Sequence, residues 1–166
     1  MLLKFFLNSN SKAYLRSLSQ EFGESTNAIR MELNKFEQAG LLQSELTGNK
    51  KLFRANTRHP LFSDIHNLIL KHVGIDRIVE NVIEKLGDLD KVFLVGDFAT
   101  GQDAQVIDLF FVGDDINKQY LLKLVEKAED MIDRKIRYMV FNKNEFDEYM
   151  SSYTGVEPLL LWEDKI

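Results

Sequence analysis

Two glycines punctuate the first forty residues, and the apolar spacing around them leaves few ways to fold this segment. Before Gly23, the residues Leu15, Leu18 and Phe22 share one face of a helix expected over 12–22, with Ser11 as its N-cap. Gly23-Glu24-Ser25 reads as a tight turn, and Ser25 can cap a second helix over 26–38. Ile29, Leu33 and Phe36 recur in that helix at i, i+4 and i+7, the spacing of one buried stripe. Gly40 stands where a left-handed residue ends a helix. Residues 41–56 then read as a β-hairpin with Thr47-Gly48-Asn49-Lys50 at its tip, and residues 2–7 as the end of another helix.

The stretch KAYLRSLSQEFGESTNAIRMELNKFEQAGLL resembles ArsR-type bacterial regulators, in which a support helix, a glycine turn and a recognition helix lead into a wing. The resemblance implies a winged helix-turn-helix domain over 1–58 whose partner is double-stranded DNA. With Ile29, Leu33 and Phe36 inward, the opposite face of the second helix presents Thr26, Asn27, Arg30, Met31 and Asn34. Arg30 suits guanine, and Asn27 or Asn34 suits adenine. Lys50 and Lys51 at the hairpin tip, with Arg54 beside them, suit phosphates or a minor groove, while Lys12 and Lys35 suit the backbone.

Charge divides the chain the same way. Residues 1–58 hold nine Lys/Arg against five acids, a balance of +4 inside a chain of −5 overall, so the remainder carries −9. A polyanion is drawn to the first segment and repelled by the second. The chain has no cysteine, which removes disulfides, thiolate metal sites and cysteine nucleophiles. Its apolar runs are too short and too charged for a membrane span, and MLLKFFLN lacks the basic start and cleavage site of a signal peptide. The expectation is a cytoplasmic protein with no membrane partner. His59, His66 and His72 are too sparse for zinc, so neither a metal nor a cofactor is expected.

Residues 59–90 read as a helical linker. One helix runs over 61–73 with Leu61, Ile65, Leu68 and Ile69 on one side, and a second over 76–86 follows Gly74. Such helices serve as the seam of a homodimer or as a brace packed on their own chain. Residues 91–166 read as strand, turn, strand, helix, strand, helix, strand: strands at 92–95, 106–112, 136–141 and 159–162, a turn at Gly96-Asp97-Phe98, and helices over 117–133 and 145–150. Helices laid on mixed strands make the fold class α+β.

FLVGDFATGQDAQVIDLFFVGDD, with the segments RYMVFNKNEFDEY and PLLLW, resembles the minimal nucleotidyltransferases, which share the polymerase-β-like fold. The resemblance implies a Gly-Ser turn that cradles phosphates and an acid-x-acid pair on the next strand. Alternate strand residues point the same way, so such a pair aims two carboxylates at one magnesium ion. This sequence departs from that pattern. The turn is Gly96-Asp97, the strand keeps only Asp108 with Val106 in the first acid position, and the strand at 136–141 has no acid. Gly96, Asp97 and Asp108 therefore form a vestigial nucleotide site with no catalytic residue, and Asp103 would have to fold back from a loop to replace the missing acid. What remains for this domain is dimerisation, or binding of a nucleotide or small-molecule effector. The reading that follows is a homodimeric transcriptional regulator. Its alternatives are a nucleotidyltransferase acting on a protein or small molecule, and an adaptor whose winged helix docks a protein.

Overall fold

The computed structural model describes residues 1–165 and divides into two compact units, residues 1–68 and residues from Ile69 onward. The division falls inside the segment 59–90. Among the described residues no helix is long and apolar enough to cross a membrane.

The first unit runs α1 (Leu2–Phe6), β1 (Lys12–Tyr14), α2 (Leu15–Phe22), α3 (Thr26–Gln38), β2 (Leu42–Thr47) and β3 (Lys50–Ala55). The three strands form an antiparallel sheet in the order β1-β3-β2. Phe5, Phe6, Leu7, Leu18, Ile29, Leu33, Leu42 and Phe53 make the core between helices and sheet. Ser25 caps α3 as its sequence position suggests, its hydroxyl accepting the Ala28 amide at 3.1 Å. Gly40 sits at φ +75°, and the hairpin turns at Gly48-Asn49.

The start of α2 differs from the expectation. Lys12–Tyr14 is a strand paired with β3, not the first turn of a helix, and the N-cap is Tyr14 rather than Ser11, with no side-chain cap bond. A three-residue strand has no period of its own. It exists here because β3 offers a free edge to its amides. Starting later, α2 buries Leu18 but leaves Leu15 half-buried and Phe22 exposed.

Helix α4 (Phe62–Val73) follows the hairpin. The second unit then has a continuous helical segment made of α5 (Ile75–Ile78), a π-helical stretch Val79–Ile83 and α6 (Glu84–Leu86). Next come β4 (Lys91–Val95), α7 (Gly96–Ala99), β5 (Val106–Val112), α8 (Lys118–Met131), β6 (Lys135–Phe141), α9 (Lys143–Ser151) and β7 (Leu159–Glu163). Gly96-Asp97-Phe98, expected as a turn, is the start of the short helix α7. The sheet is mixed, in the order β6-β5-β4-β7, with β5 and β6 parallel and the other pairs antiparallel.

The period of two assigns the sheet's faces. Ile107, Leu109 and Phe111 point one way with Tyr138, whose ring meets that of Phe111 edge-on at 5.7 Å. Asp108, Phe110 and Val112 point the other way with Arg137, Met139 and Phe141. On that second face Val95, Phe110 and Phe141 pack under Phe146, Tyr149 and Tyr153, from α9 and just beyond it. Each fully covered aromatic ring there stabilises the unit by about 2 kcal/mol. Asn142 and Glu145 close a reciprocal capping box that starts α9 two residues earlier than its apolar pattern alone suggests.

Candidate functional site

The six expected DNA contacts of α3, Thr26, Asn27, Arg30, Met31, Asn34 and Lys35, are all exposed, because Ile29 and Leu33 turn the opposite side of the helix into the core. Between this helix, the start of α2 and the hairpin tip runs a groove of about 690 Å³. Arg30 and Asn34 enter it from α3, Lys50 and Lys51 from the hairpin, and Arg16 and Ser17 from α2. Leu33, Phe53, Leu15 and Tyr14 form its apolar part, with Asn49 at the tip. No carboxylate lines it. Four cations facing one acid-free groove, in a chain of net −5, make a strongly localised positive potential.

The cations differ in their restraints. Lys50 holds its ammonium over the Tyr14 ring, 5.9 Å from the centroid. Lys51 pairs with Glu37 at 3.7 Å, and that carboxylate also accepts the hydroxyl of Ser44. Lys51 is thus partly neutralised, while Arg16, Arg30 and Lys50 carry the groove's charge. Arg54 does not join them. It alternates with buried Phe53 and Ala55 and stands opposite Lys12 on the outer side of the sheet. Arg16, Ser17, Tyr14 and Asn49 escaped the sequence reading because their place beside the hairpin depends on β1. Glu21, on α2, pairs with Lys4 at 3.1 Å, outside this groove.

In the second unit the sequence singles out Gly96, Asp97 and Asp108. Register places Val95 and Arg137 on either side of Asp108 in the sheet. The Arg137 guanidinium grips the Asp108 carboxylate with two bonds, Nε to Oδ1 at 2.5 Å and Nη2 to Oδ2 at 3.1 Å. The hydrogen bond to Asp108, then the charge of Asp108, and finally that of Asp97 hold Arg137 above its ordinary pKa. Gly96 is needed on two counts. Its φ is +69°, and a Cβ there would lie 2.5 Å from Asp108 Oδ2. Gly96→Ala should therefore push the carboxylate off Arg137 and cost about 2–3 kcal/mol, read as a lower thermal midpoint of the second unit. An unchanged midpoint would show that the turn relaxes freely.

Asp103 does not fold back to Asp108. It pairs with Arg134 at 3.0 Å. No group of three or more His, Asp or Glu side chains that could hold a metal occurs among the described residues. A divalent ion fits poorly: the only strand carboxylate is occupied bidentately by a guanidinium, and a second positive charge would be repelled by it. Arg137 was absent from the sequence reading, although an arginine where relatives carry an acid was a visible signal.

No family model and no curated protein matches the chain. A solved structure of a "putative nucleotidyltransferase" from Sulfolobus solfataricus is similar over 57% of this chain and 82% of that one, with 22% identity and a TM-score of 0.39. At that similarity the chain's own geometry decides what the site can do.

Proposed function

We propose that this chain is a DNA-binding regulator whose first unit is a winged helix-turn-helix and whose second is a catalytically degenerate nucleotidyltransferase-like domain. One observation carries the reading: the acid-free groove that gathers Arg16, Arg30, Lys50 and Lys51 beside the exposed face of α3. The order of helices and strands in the first unit, with β1 completing the sheet beside β3, supports it. In this reading Arg30, Asn27 and Asn34 meet base edges, while Arg16 and Lys50 meet phosphates. The hydroxyls of Thr26 and Ser17 and the apolar Met31 fill the remaining contact.

The degenerate reading of the second unit rests on the Asp108–Arg137 pair. Phosphoryl or nucleotidyl transfer needs carboxylates free to gather cations around a triphosphate, and Asp108 is already engaged with Arg137. Titration of a labelled duplex at rising salt tests the first half. Binding should weaken steeply, with a log–log slope of about −3 for three to four phosphate contacts. Absence of binding to any duplex at low salt would refute it. Transfer of label from a nucleoside triphosphate with magnesium, abolished in Asp108→Ala, would refute the second half.

A further inference from the structure

Helix α4 is apolar without being covered. Of its twelve residues only Val73 is buried, although Phe62, Ile65, Leu68, Ile69 and Leu70 are also apolar. One side of the helix has a partner: Phe62 lies 5.7 Å from the Phe6 ring, and His66 Nδ1 is 2.6 Å from the Phe6 carbonyl oxygen. A different side does not. Leu61, just before the helix, is 52% exposed and Leu68 is 65% exposed. With Ile65 and His72 they recur at intervals of four, three and four residues, the spacing of a two-helix seam.

The charges beside that seam select its occupant. Asp64 and Lys71 lie seven residues apart and so flank the same edge of the stripe. In a parallel pair each would meet the far edge of its partner, where Phe62 and Ile69 stand, with no charge to answer it. In an antiparallel pair like edges meet. Ile65 of one copy then packs against Leu68 of the other, Leu61 against His72, and Asp64 falls opposite Lys71 twice by symmetry. The stripe is complementary to itself only in that arrangement. We infer that α4 forms an antiparallel, two-fold interface with a second copy of this chain, through Leu61, Ile65, Leu68 and His72 and two Asp64–Lys71 pairs. This does not depend on DNA binding.

Sedimentation of the full chain, with circular dichroism as a check on folding, tests the inference. The wild type should sediment as a dimer at about 100 μM, with dissociation in the micromolar range. Leu68→Glu should give a folded monomer. Asp64→Lys should raise the dissociation constant by about 10-fold through repulsion at both symmetric pairs. Asp64→Lys/Lys71→Asp should return it close to the wild-type value, which a misfolded variant could not do. A monomeric wild type, a dimer indifferent to Leu68→Glu, or a double reversal no better than the single one would each overturn it.

Discussion

The triple variant Arg16→Glu/Arg30→Glu/Lys50→Glu should bind duplex DNA at least about 100-fold more weakly than the wild type near 0.1 M salt. The argument is electrostatic. Each phosphate neutralised by the protein releases condensed counterions, and three lost contacts should flatten the salt dependence by about 2.7 in log–log slope. These three side chains face an acid-free groove, and none of them is held in an ion pair with a carboxylate of the chain. Lys51 is different. Its partner Glu37 also accepts Ser44, so Lys51→Ala should weaken binding less than Lys50→Ala, at every duplex sequence alike. The fold should survive, because the three reversed positions sit on exposed surface outside the core. Fluorescence anisotropy over a salt series reads both numbers. Equal loss from Arg54→Glu, on the other side of the sheet, would show that a diffuse positive surface and not the groove binds the polyanion.

The second large effect lies in the other unit. The Arg134 side chain is 12% exposed and is spent on five partners. Its Nε donates to the Ala104 carbonyl at 3.2 Å, Nη1 to the carbonyls of His72 and Val73 at 3.2 and 3.1 Å, and Nη2 to Asp103 at 3.0 Å. The guanidinium also lies 5.5 Å from the Phe98 ring centroid. It therefore satisfies the last carbonyls of α4 and fixes the loop between α7 and β5 at once. Arg134→Met keeps much of the packing volume but leaves three carbonyls without this donor, an expected cost of about 3–4 kcal/mol. For a unit of this size that lowers the thermal midpoint by on the order of 15 °C. Arg134→Lys, with fewer donors and no planar fork, should recover only part of the loss. A melting curve for Arg134→Met within about 4 °C of the wild type would mean that water replaces the arginine cheaply.

The parts legible in the sequence are those whose causes are local. Ser25 before α3, Gly40 after it and Gly48-Asn49 in the hairpin each act within a few residues, and all three stand where their chemistry puts them. The stripe of Ile29 and Leu33 fixed which face of α3 stays open. What escaped depends on pairing between distant segments. Strand β1 needs β3, thirty-eight or more residues later, before its amides have partners. The Asp108–Arg137 clamp needs the parallel register of β5 on β6, and the reach of Arg134 needs the end of α4 to come beside it. Periodicity reports which way a side chain points, but not what waits there.

The claim that the first unit's groove is the nucleic-acid surface is tested most directly by amide chemical-shift mapping of the full chain against a short duplex at low salt. The expected perturbations centre on Arg16, Ser17, the exposed face of α3 and Asn49-Lys50, with the sheet of the second unit unmoved. Shifts confined to the second unit, or no shifts at any residue, would contradict it.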